Sequence, residues 1–161
     1  MAVEIRQVQD KSELKRFVQF GNELYKKNPY HVPMLIDDEL GTLDKDRNPA
    51  FEFCEAAYFL AYRNGRIVGR IAGIINHRAN ETWNQSNARF GFLDFINDNA
   101  VVDALFEVVE NWARSKGMEM LQGPMGFTDM DKEGMLIEGF DQLGTMSTIY
   151  NYAYYPKQLE R

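Results

Sequence analysis

A short acidic segment near the end of the chain carries the densest group of side chains that could do chemistry. Asp129, Asp131 and Glu133 alternate along it and Gly134 follows, which is how the calcium loop of an EF-hand begins. The twelfth position of such a loop is glutamate, but here it is Phe140, and no amphipathic helix leads into the segment. The spacing therefore favours carboxylates that cap turns, and we predict no metal site.

The same segment is also a candidate reaction site. It follows a predicted strand, and α/β sheets place their ligand crevices beyond the carboxyl ends of strands. Asp129, Asp131 or Glu133 could then act as a general base or bind an amine. Turn capping remains the alternative for all three carboxylates.

The other reactive side chains match no familiar site. The two histidines, His31 and His77, have no Cys or His at ligand spacing, which argues against zinc. No Gly-x-Ser-x-Gly segment is present to carry a nucleophilic serine. The single cysteine, Cys54, lies between two glutamates in sequence, a setting that raises a thiol pKa. We expect Cys54 to be partly buried and unreactive.

Charge and composition exclude several classes of protein. The 161 residues include 24 acidic and 18 basic side chains, for a net charge of −6, with no basic cluster. A nonspecific nucleic-acid binder would need a basic face. The single cysteine excludes an internally disulfide-linked scaffold. Neither an apolar leader nor an apolar run of about 18 residues is visible, so we expect a cytoplasmic protein without a membrane partner.

Hydrophobic periodicity predicts the elements that position these residues. In chain order they are a strand over 3–8, a helix over 12–27, a long proline-containing loop over 29–50 with a short helix near 34–43, a hairpin over 56–75, an exposed loop over 76–87, a strand over 89–96, a helix over 100–116 and a strand over 118–121. Asn64-Gly65 is the clearest local signal, because both positions of a tight hairpin turn need positive φ. The strand–helix–strand unit should be a right-handed parallel crossover.

This order, β-α-loop-β-β-loop-β-α-β, resembles the GNAT superfamily of acyl-CoA N-acyltransferases. Three segments add to the resemblance and are similar to a bacterial branch of that superfamily: GRIVGRIAG at 65–73, FGFLDF at 90–95 and GPMGFTDMD at 123–131. In the order of its elements the resemblance covers residues 1–121. Similarity of the amino-acid sequence itself continues to residue 155. It implies one partial GNAT-like α/β domain with a mixed (α+β) sheet over 1–161.

The resemblance also implies a co-substrate and site residues. Acetyl-CoA or another acyl-CoA would bind where the strand over 89–96 meets the next helix, at Phe95, Ile96, Asn97, Asn99, Ala100 and Val101. Many GNAT enzymes protonate the leaving thiolate with a tyrosine of the following helix, and Tyr154 and Tyr155 lie nearest that position. Four tyrosines at 150, 152, 154 and 155 also suit a half-buried segment that packs on a core, which is the simpler interpretation.

Two features depart from the GNAT pattern. The phosphate-binding turn of these enzymes is glycine-rich, because bare backbone N–H groups must approach the diphosphate. Residues 97–104 contain no glycine and two aspartates. Residues 122–161 indicate a loop and a tyrosine-rich tail that begins a helix, so we expect the final helix and strands of the fold to be missing. An open sheet edge would then be available for pairing in a homo-oligomer.

Two functions follow from the sequence. The first is transfer of an acyl group from acetyl-CoA to a small amine, with Asp129, Asp131 or Glu133 as base. The second is a non-catalytic GNAT-fold domain that has lost the phosphate turn and binds another ligand or a protein.

Overall fold

The computed structural model describes residues 2–161 and contains five strands and five α-helices. In chain order these are β1 (Glu4–Gln7), α1 (Lys11–Tyr25), α2 (Ile36–Leu43), β2 (Cys54–Arg63), β3 (Arg66–Asn76), α3 (His77–Trp83), β4 (Asn87–Phe95), α4 (Asn99–Ser115), β5 (Met120–Gln122) and α5 (Tyr154–Leu159). A 3-10 helix at Pro49–Glu52 precedes β2.

The strands form one mixed sheet in the order β1-β2-β3-β4-β5. The first four are antiparallel to their neighbours, and β5 pairs in parallel with β4 after the crossover through α4. The predicted hairpin is confirmed: Asn64 and Gly65 join β2 to β3 with φ of 52° and 73°. The predicted α/β class and element order are therefore confirmed.

Both faces of the sheet are covered, because alternate residues of a strand point to opposite sides. Tyr58 and Leu60 of β2 pack with α1, while Phe59 and Ala61 pack with α4. Burial on both faces gives β2 its nearly continuous apolar sequence, which is why it lacks the alternation of a half-exposed strand.

The prediction of an exposed loop over 76–87 is wrong for residues 77–83, where α3 forms. The Asn76 side chain accepts a hydrogen bond from the Ala79 N–H at 2.8 Å and begins the helix, and Asn84 ends it in the left-handed conformation with φ of 48°. No residue of α3 is buried, so the helix has no apolar stripe that periodicity could detect.

The C-terminal segment after β5 contains one short helix. The helix expected to begin at Tyr154 is confirmed as the six-residue α5. Within residues 2–161 no strand follows Gln122.

Among the described residues, no helix is both long enough and apolar enough to cross a membrane.

Candidate functional site

Strands β4 and β5 separate after only three residue pairs. The pairs run from Asn87 with Met120 to Arg89 with Gln122, although β4 continues to Phe95. The chain after β5 crosses β4 so closely that a Cβ on Gly91 would lie 2.2 Å from the Met125 carbonyl oxygen. Beyond this crossing, no strand within residues 2–161 pairs with the edge of β4 that faces away from β3.

A bulge in β4 lies at the same place. Phe92 has φ of 48°, and the register with β3 shifts between the Arg70–Asp94 and Ala72–Gly91 pairs. A bulge takes backbone groups out of the ladder and redirects side chains. Here it bends β4 beside the separation from β5.

A cavity of about 400 Å³ opens at this separation. Its walls come from α1, α2 and the connection between them, from β4, and from the segment over 124–151. Four carboxylates and two cations line it: Asp38, Glu39, Asp94, Asp131, Arg70 and Lys132.

The floor of the cavity is a buried ion cluster around Arg70, which is 5% exposed. Its Nε and Nη2 lie 2.9 Å and 2.8 Å from Asp94 Oδ2. Its Nη1 donates to Glu39 Oε2 at 3.2 Å and to the Phe17 carbonyl at 3.1 Å. Burial opposes the charge on Arg70, but the two carboxylates outweigh it and raise the guanidinium pKa. The cluster joins α1, α2, β3 and β4 under the cavity.

Two tyrosines extend this cluster to α5. The hydroxyls of Tyr25 and Tyr155 lie 2.7 Å apart and contact Asp94 Oδ1 at 2.9 Å and 3.2 Å. The Phe95 N–H donates to Tyr155 Oη at 3.0 Å. Burial is the main cause that raises the pKa of both phenols well above the ordinary value, so both hydroxyls keep their protons.

His31 forms part of the cavity wall between α1 and α2. Its ring stacks on Tyr25, with centroids 4.5 Å apart, and meets the edge of Tyr150 at 6.0 Å. Across the cavity, Lys132 Nζ lies 2.7 Å from Met34 Sδ and 3.4 Å from the Thr148 carbonyl.

Comparison with known proteins gives relatives in sequence and in structure. No protein-family model matches the sequence. "Protein YghO" of Escherichia coli (strain K12) is 33% identical over 137 residues, which are 85% of this chain and 35% of that protein. "Bacterial ceramide synthase" of Caulobacter vibrioides is 33% identical over 135 residues, which are 83% of this chain and again 35% of that protein. The chain thus spans about a third of the length of the curated relatives it matches.

Solved structures with low sequence identity share the architecture. A tandem GNAT protein from the clavulanic acid biosynthesis pathway superposes with a TM-score of 0.57 at 17% identity, covering 74% of this chain and 35% of that one. The crystal structure of a predicted acetyltransferase with acetyl-CoA from Clostridium acetobutylicum gives a TM-score of 0.53 at 13% identity, covering 77% of this chain and 81% of that one. An aminoglycoside acetyltransferase from a soil metagenome, solved with sisomicin, gives 0.52 at 13%, covering 74% and 75%. The chain has the GNAT fold.

The residues predicted to bind acyl-CoA lie together at the turn from β4 to α4, and side chains of α5 contact two of them. Tyr154 Oη donates to the Phe95 carbonyl at 2.6 Å, and Gln158 Nε2 donates to Asn97 Oδ1 at 2.6 Å. At the start of α4, the Ala100 N–H donates to Asp98 Oδ1 at 2.9 Å. Three more predicted residues complete the turn: Ile96, Asn99 and Val101.

Asp98 places a negative charge at the turn from β4 to α4. Its carboxylate forms an ion pair with Arg63 in addition to capping α4. The hydrogen bond from Arg63 is the largest cause that lowers the pKa of Asp98, so this carboxylate is charged at neutral pH. A diphosphate at the helix N-terminus would therefore meet a negative side chain there.

The predicted catalytic residues divide into two groups. Asp131 and Tyr155 line the cavity, whereas Asp129 and Glu133 are exposed and Tyr154 lies outside the lining. Asp131 Oδ2 accepts hydrogen bonds from the Phe127 and Thr128 N–H groups at 2.8 Å and 3.1 Å. This carboxylate therefore caps a turn, as the alternative interpretation of the acidic segment expects. Residues 2–161 contain no group of three or more metal-binding side chains.

Sequence reasoning missed the polar cavity residues Arg70, Asp94, Tyr25 and His31. A signal for two of them was available, since Arg70 and Asp94 each interrupt an otherwise apolar strand. A charge within a buried strand needs a partner, and these two face each other across the β3–β4 pair.

Proposed function

We propose that the chain is an acyl-CoA-dependent N-acyltransferase domain whose acceptor amine binds in the cavity beside β4. The unpartnered edge of β4 beyond Gly91, which borders that cavity, is the observation that carries the proposal. The pantetheine arm of CoA contains two amides, and an extended amide chain can pair with an open strand edge. Such pairing would bring the thioester to the cavity.

The bulge supplies the second part of the proposed site. The backbone N–H groups of Phe92 and Leu93 lie out of register with β3. We assign them as candidate donors to the thioester oxygen, where negative charge develops during acyl transfer. The CoA diphosphate would lie toward Asn97 and Ala100, beside the start of α4.

The charge of the cavity favours a cationic acceptor. Four carboxylates line it against two cations, a difference of two negative charges. Arg70 is already paired with Asp94 and Glu39, so Asp131 and Asp38 are the carboxylates left to attract an ammonium group. We assign Asp131 to holding the amine, and Tyr155 to donating a proton to the leaving thiolate.

A long apolar chain on the acceptor is the finer proposal. One relative is named a ceramide synthase, and a ceramide is an amide of a long-chain amino alcohol. Met130 and Met146 line the cavity and are 90% and 54% exposed. Leu35, which follows the lining residue Met34 in sequence, is 55% exposed. These side chains offer apolar surface along which an alkyl chain could lie while its amine enters the cavity.

A non-catalytic domain is the second candidate, and α5 is the observation that favours it. The hydroxyls of Tyr155 and Tyr154 contact the N–H and the carbonyl of Phe95, which are the edge groups that pantetheine would use. Asp98 occupies the start of α4. A domain that keeps these contacts would bind a different ligand in its cavity.

Calorimetry followed by a turnover assay separates the two candidates. Acetyl-CoA and palmitoyl-CoA are titrated into the chain, and CoA release is then followed with sphinganine or hexylamine as acceptor. An acyltransferase binds at least one thioester and releases CoA faster when amine is present. No heat of binding with either thioester would refute the proposal and favour the non-catalytic domain.

A further inference from the structure

We propose that His31 takes the proton from the acceptor ammonium group and so acts as the catalytic base of the cavity. The inference rests on the proposed N-acyl transfer. An amine arrives at neutral pH as an ammonium ion and must lose a proton before its nitrogen can attack a thioester. The base has to lie in the acceptor cavity with a ring nitrogen or an oxygen free to receive that proton.

Packing holds the His31 ring without using its nitrogens. The stack on Tyr25 at 4.5 Å and the edge contact with Tyr150 at 6.0 Å fix the ring in the cavity wall. Within residues 2–161 no hydrogen bond is among the causes that shift the pKa of the His31 ring. The ring is half-buried, so it is open to the cavity.

Three of the four carboxylates of the cavity are already committed to other bonds. Asp94 and Glu39 hold Arg70, and Asp94 also accepts the hydroxyls of Tyr25 and Tyr155. Asp131 Oδ2 accepts two backbone N–H groups. The fourth carboxylate, Asp38, is exposed at the start of α2, whereas the His31 ring is half-buried in the cavity wall, which makes His31 the better placed base.

The surroundings of His31 keep it neutral. Burial, followed by the positive charges of Lys132 from the 124–151 segment and Arg70 from β3, lowers the pKa of the ring below its ordinary value. The phenols of Tyr25 from α1 and Tyr150 face it, and the carboxylates of α2 and β4 on the floor are paired with Arg70. A neutral imidazole is the form that can accept a proton.

The proton balance of the step is simple. The first proton of the ammonium group moves to a His31 ring nitrogen, and the freed electron pair forms the C–N bond to the thioester carbon. Collapse of the tetrahedral intermediate breaks the C–S bond, and the electron pair leaves with sulfur. Tyr155 gives its proton to the CoA thiolate, and the second amine proton, which is lost as the amide forms, restores the Tyr155 hydroxyl. The His31 proton then passes to water through the open side of the cavity.

A matched pair of variants tests this role, because the chain has two histidines. His31→Gln removes the base and keeps a polar side chain. His77→Gln is the control, since His77 is half-exposed on α3 and contacts Glu55 at 2.9 Å. With palmitoyl-CoA and sphinganine, we expect His31→Gln to lower kcat about 10²- to 10⁴-fold at neutral pH and to remove the acid limb of the pH–rate profile. His77→Gln should change neither.

The outcomes distinguish this inference from the function on which it rests. Turnover in the unmodified chain with an unchanged His31→Gln variant would overturn the role of His31 and leave N-acyl transfer intact. No CoA release with either amine would overturn both. If His31→Gln does not fold, ring resonances of ¹⁵N-histidine in the unmodified chain decide: sphinganine must shift those of His31 and not those of His77, and the absence of that shift refutes the proposal.

Discussion

Removing the hydroxyl of Tyr155 by a Tyr155→Phe substitution tests whether the ion and tyrosine cluster beneath the cavity holds α5 in place. Tyr155 is 3% exposed, and its Oη meets the Phe95 N–H, Tyr25 Oη and Asp94 Oδ1. Tyr155→Phe keeps the ring, which stacks on Phe95 with centroids 4.2 Å apart, so little cavity forms. The change isolates the hydrogen bonds.

The expected cost is about 2 to 4 kcal/mol in the free energy of unfolding. A buried N–H left without an acceptor costs about 1–3 kcal/mol, and a hydrogen bond to a charged group contributes about 1.5–3 kcal/mol. The two groups belong to one hydrogen-bonded cluster, so the total cost is smaller than the sum of the two free energies. For a chain of this length, each kcal/mol shifts Tm by about 2–4 °C.

Urea unfolding followed by tryptophan fluorescence measures the effect, and Tyr154→Phe is the matched control. Tyr154 Oη donates to the Phe95 carbonyl from a partly buried position, so its loss should cost only about 0.5–1.5 kcal/mol. A Tyr155→Phe variant within about 0.5 kcal/mol of the unmodified chain would contradict this account of the cluster. So would a Tyr154→Phe variant that is the less stable of the two.

Three further predictions follow from the close contacts and the titrating groups. Gly91→Ala should destabilise the folded chain by more than about 1–3 kcal/mol, because the new Cβ would lie 2.2 Å from a backbone oxygen. Gly41→Ala in α2 is the control: its Cβ meets only the end of an arginine side chain, so the change should be neutral or stabilise by up to about 1 kcal/mol. Urea midpoints of the two variants measure the difference. Burial raises the pKa of Cys54 to about 11, so iodoacetamide should label it at neutral pH only after unfolding, as mass spectrometry would report. The pKa of His31 in the folded chain is below its unfolded value of about 6.5, so its contribution to stability is present above that pH and is lost as pH falls through the folded pKa. Urea midpoints measured across pH should therefore fall toward acid pH in the unmodified chain, and fall less in His31→Gln.

The elements that the sequence predicts well are those with a strong local cause. The hairpin has Asn64-Gly65, which needs no distant contact to form its turn. Helix α4 has an apolar stripe that includes Val101, Leu105 and Val109 and meets the sheet. Helix α3 was missed because its start depends on one capping side chain, and short polar helices carry no periodic signal.

The candidate site was harder to predict, because its residues come from five separate elements. Asp94 and Arg70 meet through strand pairing, and Tyr155 contacts Asp94 from 61 positions away in the chain. Spacing along the sequence cannot reveal such a cluster. The acidic segment stood out by spacing, but only Asp131 of its three carboxylates lines the cavity.

The contacts of α5 decide how acyl-CoA could reach the edge of β4. Tyr154 contacts the Phe95 carbonyl at this edge, and Gln158 contacts Asn97 just beyond it, both from partly exposed positions. Tyr155 is fixed in the buried cluster. Binding of pantetheine would exchange the Tyr154 hydrogen bond for one of its own, at a net cost of about 0.5–1.5 kcal/mol. Acyl-CoA should therefore displace Tyr154 and leave Tyr155 in place.

Tyr154→Phe should consequently bind palmitoyl-CoA about two- to tenfold more tightly than the unmodified chain, since the variant has no hydroxyl to displace from the Phe95 carbonyl. Calorimetric titration of both proteins measures this ratio, with Tyr152→Phe as control because its hydroxyl donates to the Leu24 carbonyl of α1 instead. Equal affinities would mean that acyl-CoA does not use the Phe95 carbonyl. Absence of binding in all three proteins would mean that α5 and Asp98 close this edge, as the non-catalytic function requires.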